Sequence, residues 1–384
     1  MSRVIIVRRL ESFIAKGAGE LGVFDGFRIS FSCRPKIFSN EIYRDPTKTV
    51  SLDEVKQSYG GIIKDADLAN FRSAYVNPEA GWADAGTAVK RMLEESIAVG
   101  IEYKVGDAVG IVLRGQSGVK GVKLATGEVV EADKIVLTTG AWTSFLMHSI
   151  EEELGLRHEE RIERQLTAAA VCVAHYQLTE EEVELYSKMP VIVYGEKGIP
   201  FGHRVFMFSD AESFAGEVLP PPQSGILKFT FSGSVTNTIT VTSEQRISVP
   251  PFQDQSIVPQ ALKNEILDII KSLMPYFQNN GREVDRWRLC WDSITPTQNQ
   301  LICRHPNPSM HNLCLAVGGS FHSYKFLPTI GKYVANVIHG ISNGDEKDHA
   351  WEWKATGSQD RLKCAHANVI PKRDLKDLIH MESR

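Results

Sequence analysis

Five apolar residues in a row, Leu313-Cys-Leu-Ala-Val317, run straight into Gly318-Gly319, and Ile330 to Ile338 follow with helical spacing. Strand, glycine turn and helix in that order form a βα unit, which commits this end of the chain to a layer of helix on sheet. The glycines matter because they let backbone amides and a helix N-terminus come close to an anionic ligand. Asp133-Lys-Ile-Val-Leu-Thr-Thr-Gly140 is a second run of this kind, closed by glycine as a buried strand entering a cofactor site would be.

A helix is predicted over 84–99, because Val89, Met92, Leu93 and Ile97 share one face and Gly100 stands where a helix-ending glycine belongs. Gly110 to Arg114, Val119 to Leu124 and Val129-Val130, separated by turns at Gln116-Ser-Gly118 and Thr126-Gly127, predict a small antiparallel meander. Thr167 to Ala174, Val191 to Tyr194, Arg204 to Phe208, Ile226 to Phe231 and Thr238 to Val241 predict a second sheet. Leu262, Ile266, Ile269, Ile270 and Leu273 line an amphipathic helix closed by Pro275. The first 75 residues fit neither period well beyond the short β-like run Val4 to Val7. The polar stretch beyond Asn343 is expected to lie over the surface.

A chain of 384 residues has room for two domains or one interrupted domain. Forty-three Lys and Arg against 47 Asp and Glu leave a net charge of −4, without the basic excess that nucleic acid would require. No apolar run approaches the roughly 20 residues of a membrane span, and the apolar part of the N-terminus is too short for a signal peptide. A soluble, cytoplasmic protein without a membrane or nucleic-acid partner is the expectation. Cys33, Cys172, Cys290, Cys303, Cys314 and Cys364 are scattered, with no CxxC and no zinc spacing, so no metal site is predicted.

Taken singly, the two glycine-ended strands are ordinary punctuation and Cys290 is an inert core thiol. Their joint order and wording say more. Arg288-Leu-Cys-Trp-Asp-Ser-Ile-Thr-Pro296, then Leu301-Ile302, then Ala316-Val-Gly-Gly-Ser-Phe-His-Ser-Tyr-Lys-Phe-Leu-Pro-Thr-Ile-Gly-Lys332 closely resembles the flavin motif of the fructosyl amino acid oxidase (amadoriase) and sarcosine oxidase family. Glu79-Ala-Gly-Trp-Ala-Asp84 and Ala132-Asp-Lys-Ile-Val-Leu-Thr-Thr-Gly-Ala-Trp142 extend the resemblance over about residues 65 to 355.

The resemblance implies an α/β (α+β) fold, with a Rossmann-like FAD-binding domain interleaved with a predominantly antiparallel substrate domain. On this chain the implied segments are a degraded N-terminal FAD segment (1–64), a first FAD-binding part (65–160), the substrate domain (161–285), the flavin-attachment part (286–345) and a C-terminal tail (346–384). It further implies FAD held covalently through an 8α-thioether at Cys290, with Gly140, Trp142, Gly318, Gly319, Phe321, His322, Lys325 and Phe326 also at the cofactor. Lys228, in Gly225-Ile-Leu-Lys228, matches the lysine that assists O₂, and Lys325 matches one by the flavin and the substrate carboxylate. For each lysine the alternative is an ordinary surface ammonium, although Lys228 interrupts an apolar strand. The activity implied is oxidation of a C–N bond in an amino acid or secondary amine, with O₂ as acceptor and H₂O₂ as product, by a monomer.

The departures from the family pattern carry expectations of their own. Arg8-Arg9 stands where the phosphate-loop glycines should follow Val4 to Val7, and the formal match Gly17-Ala-Gly-Glu-Leu-Gly22 lacks a flanking strand and helix. A truncated or altered N-terminus, and weak FAD binding, follow. A non-catalytic remnant is the reading from a different class. Ser232 replaces the glutamate that sugar-recognising relatives carry four residues after the lysine, and Trp351-Glu-Trp-Lys354 replaces a tryptophan-arginine pattern. Both favour an N-methyl or other secondary amine, of the kind met in fungal secondary metabolism, over a fructosyl amine. Saccharopine, pipecolate, sarcosine and a fructosyl amino acid remain alternative substrates. The end Glu382-Ser-Arg384 is not the usual peroxisomal tripeptide, which leaves the peroxisome as the second address.

Overall fold

The computed structural model of the chain describes residues 6–8, 48–69, 71–77, 81–115, 117–195, 205–209, 216–242, 245–252, 254–355 and 370–382. Its main element is a ten-stranded sheet built around the long strand Thr167–Gln177. Along one edge of that strand, Arg286–Ile294 pairs antiparallel over nine residues, from Arg286 opposite His175 to Ile294 opposite Thr167. Along the other lies Ile226–Phe231, with Lys228 opposite His175. The sheet continues through Gly216–Leu219, Ile192–Gly195, Val205–Ser209, Phe71–Val76 and Lys48–Val50, antiparallel except where Ile192–Gly195 and Val205–Ser209 run parallel.

Period-two alternation sorts these strands into two faces. One face buries Ala170, Cys172, Ala174 and Tyr176 of the central strand with Leu227, Phe229, Val218 and Leu289 of its neighbours. Helix Gln260–Leu273 covers them with Leu262, Ile266, Ile269, Ile270 and Leu273, each at most 1% exposed. Full burial of each such side chain is worth about 1.5–3 kcal/mol, so this helix fixes the orientation of the sheet. The opposite face carries Val171, Val173 and His175 of the central strand, Lys228 and Thr230 beside them, and Arg286, Arg288, Cys290 and Asp292 across from them.

A second core gathers the βα unit. Leu313–Val317 runs parallel to Ile135–Leu137 and antiparallel to Leu301–Arg304. The predicted meander is present as Ala108–Leu113, Val119–Leu124 and Val129–Glu131. Helix Thr143–Glu153, unforeseen in the sequence reading, buries Leu146, Met147 and Ile150 against it. Asn312 fastens meander to βα unit by donating to the Val119 and Asp133 carbonyls and accepting from the Val119 amide.

Three sequence expectations are revised. Helix Ala85–Ala98 forms, capped by Asp84, but Val89, Met92 and Ile97 of its apolar stripe stay exposed. At the N-terminus, Ile6–Arg8 is a strand that includes Arg8 and pairs antiparallel with Glu102–Lys104, whereas Gly17 to Gly22 lies outside the described residues. The third concerns the tail, which is structural rather than superficial. Arg373–Asp374 pairs parallel with Val235–Thr236, Leu375 and Leu378 enter the large core, and Trp353 packs on the second core. Lys354 also exchanges two hydrogen bonds with the buried side chain of Gln165.

Glu151, fully buried on helix Thr143–Glu153, accepts from the Ile162 amide at 2.8 Å through Oε1 and leaves Oε2 without a partner. Burial pushes its pKa up to about 8, with nearby Glu163 reinforcing the shift and the Ile162 amide and Arg161 opposing it. An unfolded glutamate titrates near about 4.3, so between the two values the folded chain holds a proton that the unfolded chain has released. The corresponding stability is complete below the unfolded pKa and is lost as pH rises through about 8. Glu151→Gln should therefore gain on the unsubstituted chain as pH rises from about 5 to about 9, by on the order of a few kcal/mol. Urea midpoints across that range check this, and parallel curves would refute it.

Candidate active site

The face of the large sheet opposite the core positions the first group of site residues. Cys290 and Asp292 are two apart on Arg286–Ile294 and so project to the same side, while Leu289 between its neighbours turns into the core. Lys228 interrupts its apolar strand for the same reason: Leu227 and Phe229 are core residues, and the lysine between them faces the other way. Lys228 is near enough to Cys290 to act on it electrostatically. Burial pushes the Cys290 thiol above its ordinary value; Arg288 and Lys228 pull it down and Asp292 opposes them. His175 lies between Lys228 and Arg286 in register, its Nδ1 3.3 Å from the Arg286 carbonyl. Its pKa is lowered by burial first and then by Lys228, Arg286 and Arg288, which favours the neutral ring.

The glycine turn after Leu313–Val317 folds back on this strand. The Gly318 amide donates to Ser293 Oγ at 2.9 Å, the Ser320 amide to the Ser293 carbonyl at 2.9 Å, and the Phe321 amide to Asp292 Oδ2 at 2.8 Å. Gly318 is left-handed (φ +83°), and a Cβ there would lie 2.6 Å from Thr295 Cγ2. At Gly319 a Cβ would lie 2.5 Å from Asp292 Oδ2. Ser320 (φ 50°) and Phe321 (φ 63°) are also left-handed, an arrangement that side-chain-bearing residues adopt only under constraint. Both glycines therefore have a steric reason to be where they are.

The remaining expected residues flank this junction. The short turn Gly140–Trp142, with Gly140 left-handed, packs against Thr167–Gln177 and Arg286–Ile294. The ring of Trp142 is engaged with Phe145 and Phe252, at centroid distances of 6.1 and 5.4 Å. His322 Nε2 lies 2.9 Å from the Gln298 carbonyl, and burial, then Lys325, lowers the His322 pKa. Lys325 sits half-buried in the 3₁₀ turn Ser323–Phe326, with its Nζ 5.6 Å from the Phe326 ring centroid and its pKa lowered by burial. Tyr324 in the same turn reaches the Ala85 carbonyl at 3.4 Å, beside Asp84, whose charge is felt by both Tyr324 and Lys228. The sequence reading missed Asp292 as a site residue, although its i, i+2 spacing from Cys290 places it on the same face.

No cluster of three or more potential metal ligands occurs among the described residues, and no helix among them is long and apolar enough to cross a membrane. A family model described as FAD dependent oxidoreductase (DAO) matches residues 39–337. The chain is 25% identical over 328 residues to L-saccharopine oxidase of Schizosaccharomyces pombe, covering 82% of this chain and 68% of that protein. It is 26% identical over 338 residues to the amino acid oxidase fsqB of Aspergillus fumigatus, covering 75% of this chain and 64% of that protein. Among solved structures, the fructosamine oxidase Amadoriase II of Aspergillus fumigatus shares the fold with a TM-score of 0.68 at 21% identity, over 86% of this chain and 73% of that one. A modified fructosyl peptide oxidase from Aspergillus nidulans gives 0.68 at 24% identity, over 90% and 74%.

The junction yields a direct test. Because Asp292 is short, half-buried and held by the amides of Ser293 and Phe321, a methyl group at position 319 can be accommodated only by displacing the carboxylate. Gly319→Ala should destabilise the chain by about 1.5–3 kcal/mol, the worth of a charged hydrogen bond lost in the interior. An unchanged melting temperature would contradict the geometry.

Proposed function

Because the chain belongs to the FAD dependent oxidoreductase (DAO) family, whose model spans residues 39–337, we propose that the face around Cys290 oxidises a secondary or N-methyl amine. The observation that carries this reading is that Cys290 and Lys228 share one face of the sheet, with the Gly318–Phe321 turn tied to the same strand two and three residues beyond Cys290. The residues there fit the isoalloxazine end of FAD: a half-buried thiol able to form a thioether, a turn with room for no side chain at Gly318 or Gly319, and a lysine on the same face of the sheet. When bound, FAD would supply the two-electron acceptor through which the amine C–N bond is oxidised to an imine and O₂ is reduced to H₂O₂.

In this reading the chain's own residues do three things. Cys290 holds the cofactor. Lys228 stabilises the negative charge that develops as O₂ accepts an electron. Lys325, whose pKa is lowered by burial, meets the substrate carboxylate, a contact that favours its ammonium form. Ser232, four residues beyond Lys228 on the same strand direction, offers only a hydroxyl, which supports an amine without a sugar. The names of the curated relatives, one a saccharopine oxidase and one an amino acid oxidase, support amino-acid-derived substrates. A place in fungal secondary metabolism belongs to the same proposal.

The absorbance spectrum of the purified chain, incubated with FAD and desalted, tests the reading. Oxidised-flavin bands together with peroxide release from a panel of secondary amines support it; a colourless, inactive protein establishes the remnant instead. With flavin present, Cys290→Ala should release all colour on acid precipitation, whereas the unsubstituted chain keeps it. Lys228→Met should leave anaerobic bleaching by substrate near its original rate and slow reoxidation by about 10²- to 10³-fold. Equal slowing of both half-reactions would assign Lys228 to substrate binding.

A further inference from the structure

We infer that Asp292 is the positioning residue of this site, its carboxylate locking the Gly318–Phe321 turn in a left-handed form against the strand that bears Cys290. The inference rests on the flavin reading of the same face. Three of the four turn amides end on two consecutive strand residues, with Gly318 and Ser320 on Ser293 and Phe321 on Asp292. Two successive left-handed residues with side chains cost about 1–2 kcal/mol each, so the turn needs an external acceptor to persist. Asp292 meets that need because its two carboxylate oxygens both accept, burial pushing its pKa up and the Phe321 and Ser293 amides opposing that push. Oδ1 takes the Ser293 amide at 2.7 Å and Oδ2 the Phe321 amide at 2.8 Å. Gly319 brings the backbone so close that even a methyl group would strike the carboxylate.

Strand and turn therefore move as one piece. A cofactor attached at Cys290 and touching the turn is held from both sides by a single rigid unit, and Asp292 acts on it through the turn rather than by contact.

Asp292→Asn is the sharp test, since an amide has the same shape but must direct its NH₂ at one of the two backbone N–H groups. In the full chain without FAD, hydrogen exchange of the peptide spanning Gly318 to Ser323 should accelerate by about tenfold or more, the loss of one charged hydrogen bond. The dissociation constant for FAD, followed by flavin fluorescence, should rise by about ten- to a hundredfold. If Asp292→Asn folds poorly, adding Phe321→Gly removes the left-handed strain; the double variant should regain its melting temperature while binding FAD about ten- to a hundredfold more weakly than Phe321→Gly alone. Unaltered exchange and FAD affinity in Asp292→Asn would overturn the inference, as would a lowered melting temperature with full FAD affinity, which would make the carboxylate merely structural. If the unsubstituted chain takes up no FAD at any concentration, the flavin reading itself fails and takes this role with it, an outcome distinct from equal binding by both proteins.

Discussion

Nine consecutive residue pairs between Thr167–Gln177 and Arg286–Ile294 hold together the parts of the chain that matter most. The pairing does two jobs at once. Toward helix Gln260–Leu273 it presents Ala170, Cys172, Ala174, Tyr176 and Leu289, whose burial contributes to the drive to assemble the sheet. Toward the other side it presents Cys290 and Asp292, and the glycine turn of the second core is tied to Asp292 and the adjacent Ser293. The two cores are thus joined at the strand that carries the candidate attachment thiol, and the site sits on the seam between them.

The charges on that seam are arranged asymmetrically. Lys228, Arg286 and Arg288 lie across neighbouring strands on one face, with His175 pressed toward its neutral form among them. Asp292 stands at the far end of the same strand, fully committed to backbone amides. Such a field, offset in part by Asp84 near Lys228, favours anions over cations at the open face, as the proposed function requires.

Much of this was legible before the fold was known. Lys228 stood out as a charge inside an apolar strand, and Leu313 to Gly319 announced a strand and turn, because both signals are local. The order of the ten-stranded sheet was not, since its neighbours come from segments as distant as Lys48–Val50 and Arg373–Asp374 and no local pattern encodes which strands meet. The tail was misread because two-residue Arg373–Asp374 and the pair Leu375 and Leu378 are too short to show a period, although both leucines are buried. Helix Thr143–Glu153 was hidden by its polar opening, Thr143-Ser144, which the fold buries. Asp292 was overlooked for a different reason: a carboxylate between Trp291 and Ser293 looks like surface chemistry until the turn that it anchors is in view.

The pleat of Arg286–Ile294 has a consequence for how such a chain can change over generations. Side chains alternate strictly along it, so substituting a residue alters one position, whereas inserting or deleting a single residue before Cys290 reverses every position after it. Trp291 would then face the open side, while Cys290 and Asp292 would be driven into the oily interior beneath helix Gln260–Leu273. Lineages carrying this strand are free to vary its letters but not its length, and gaps in related genes should fall in the connections on either side of it.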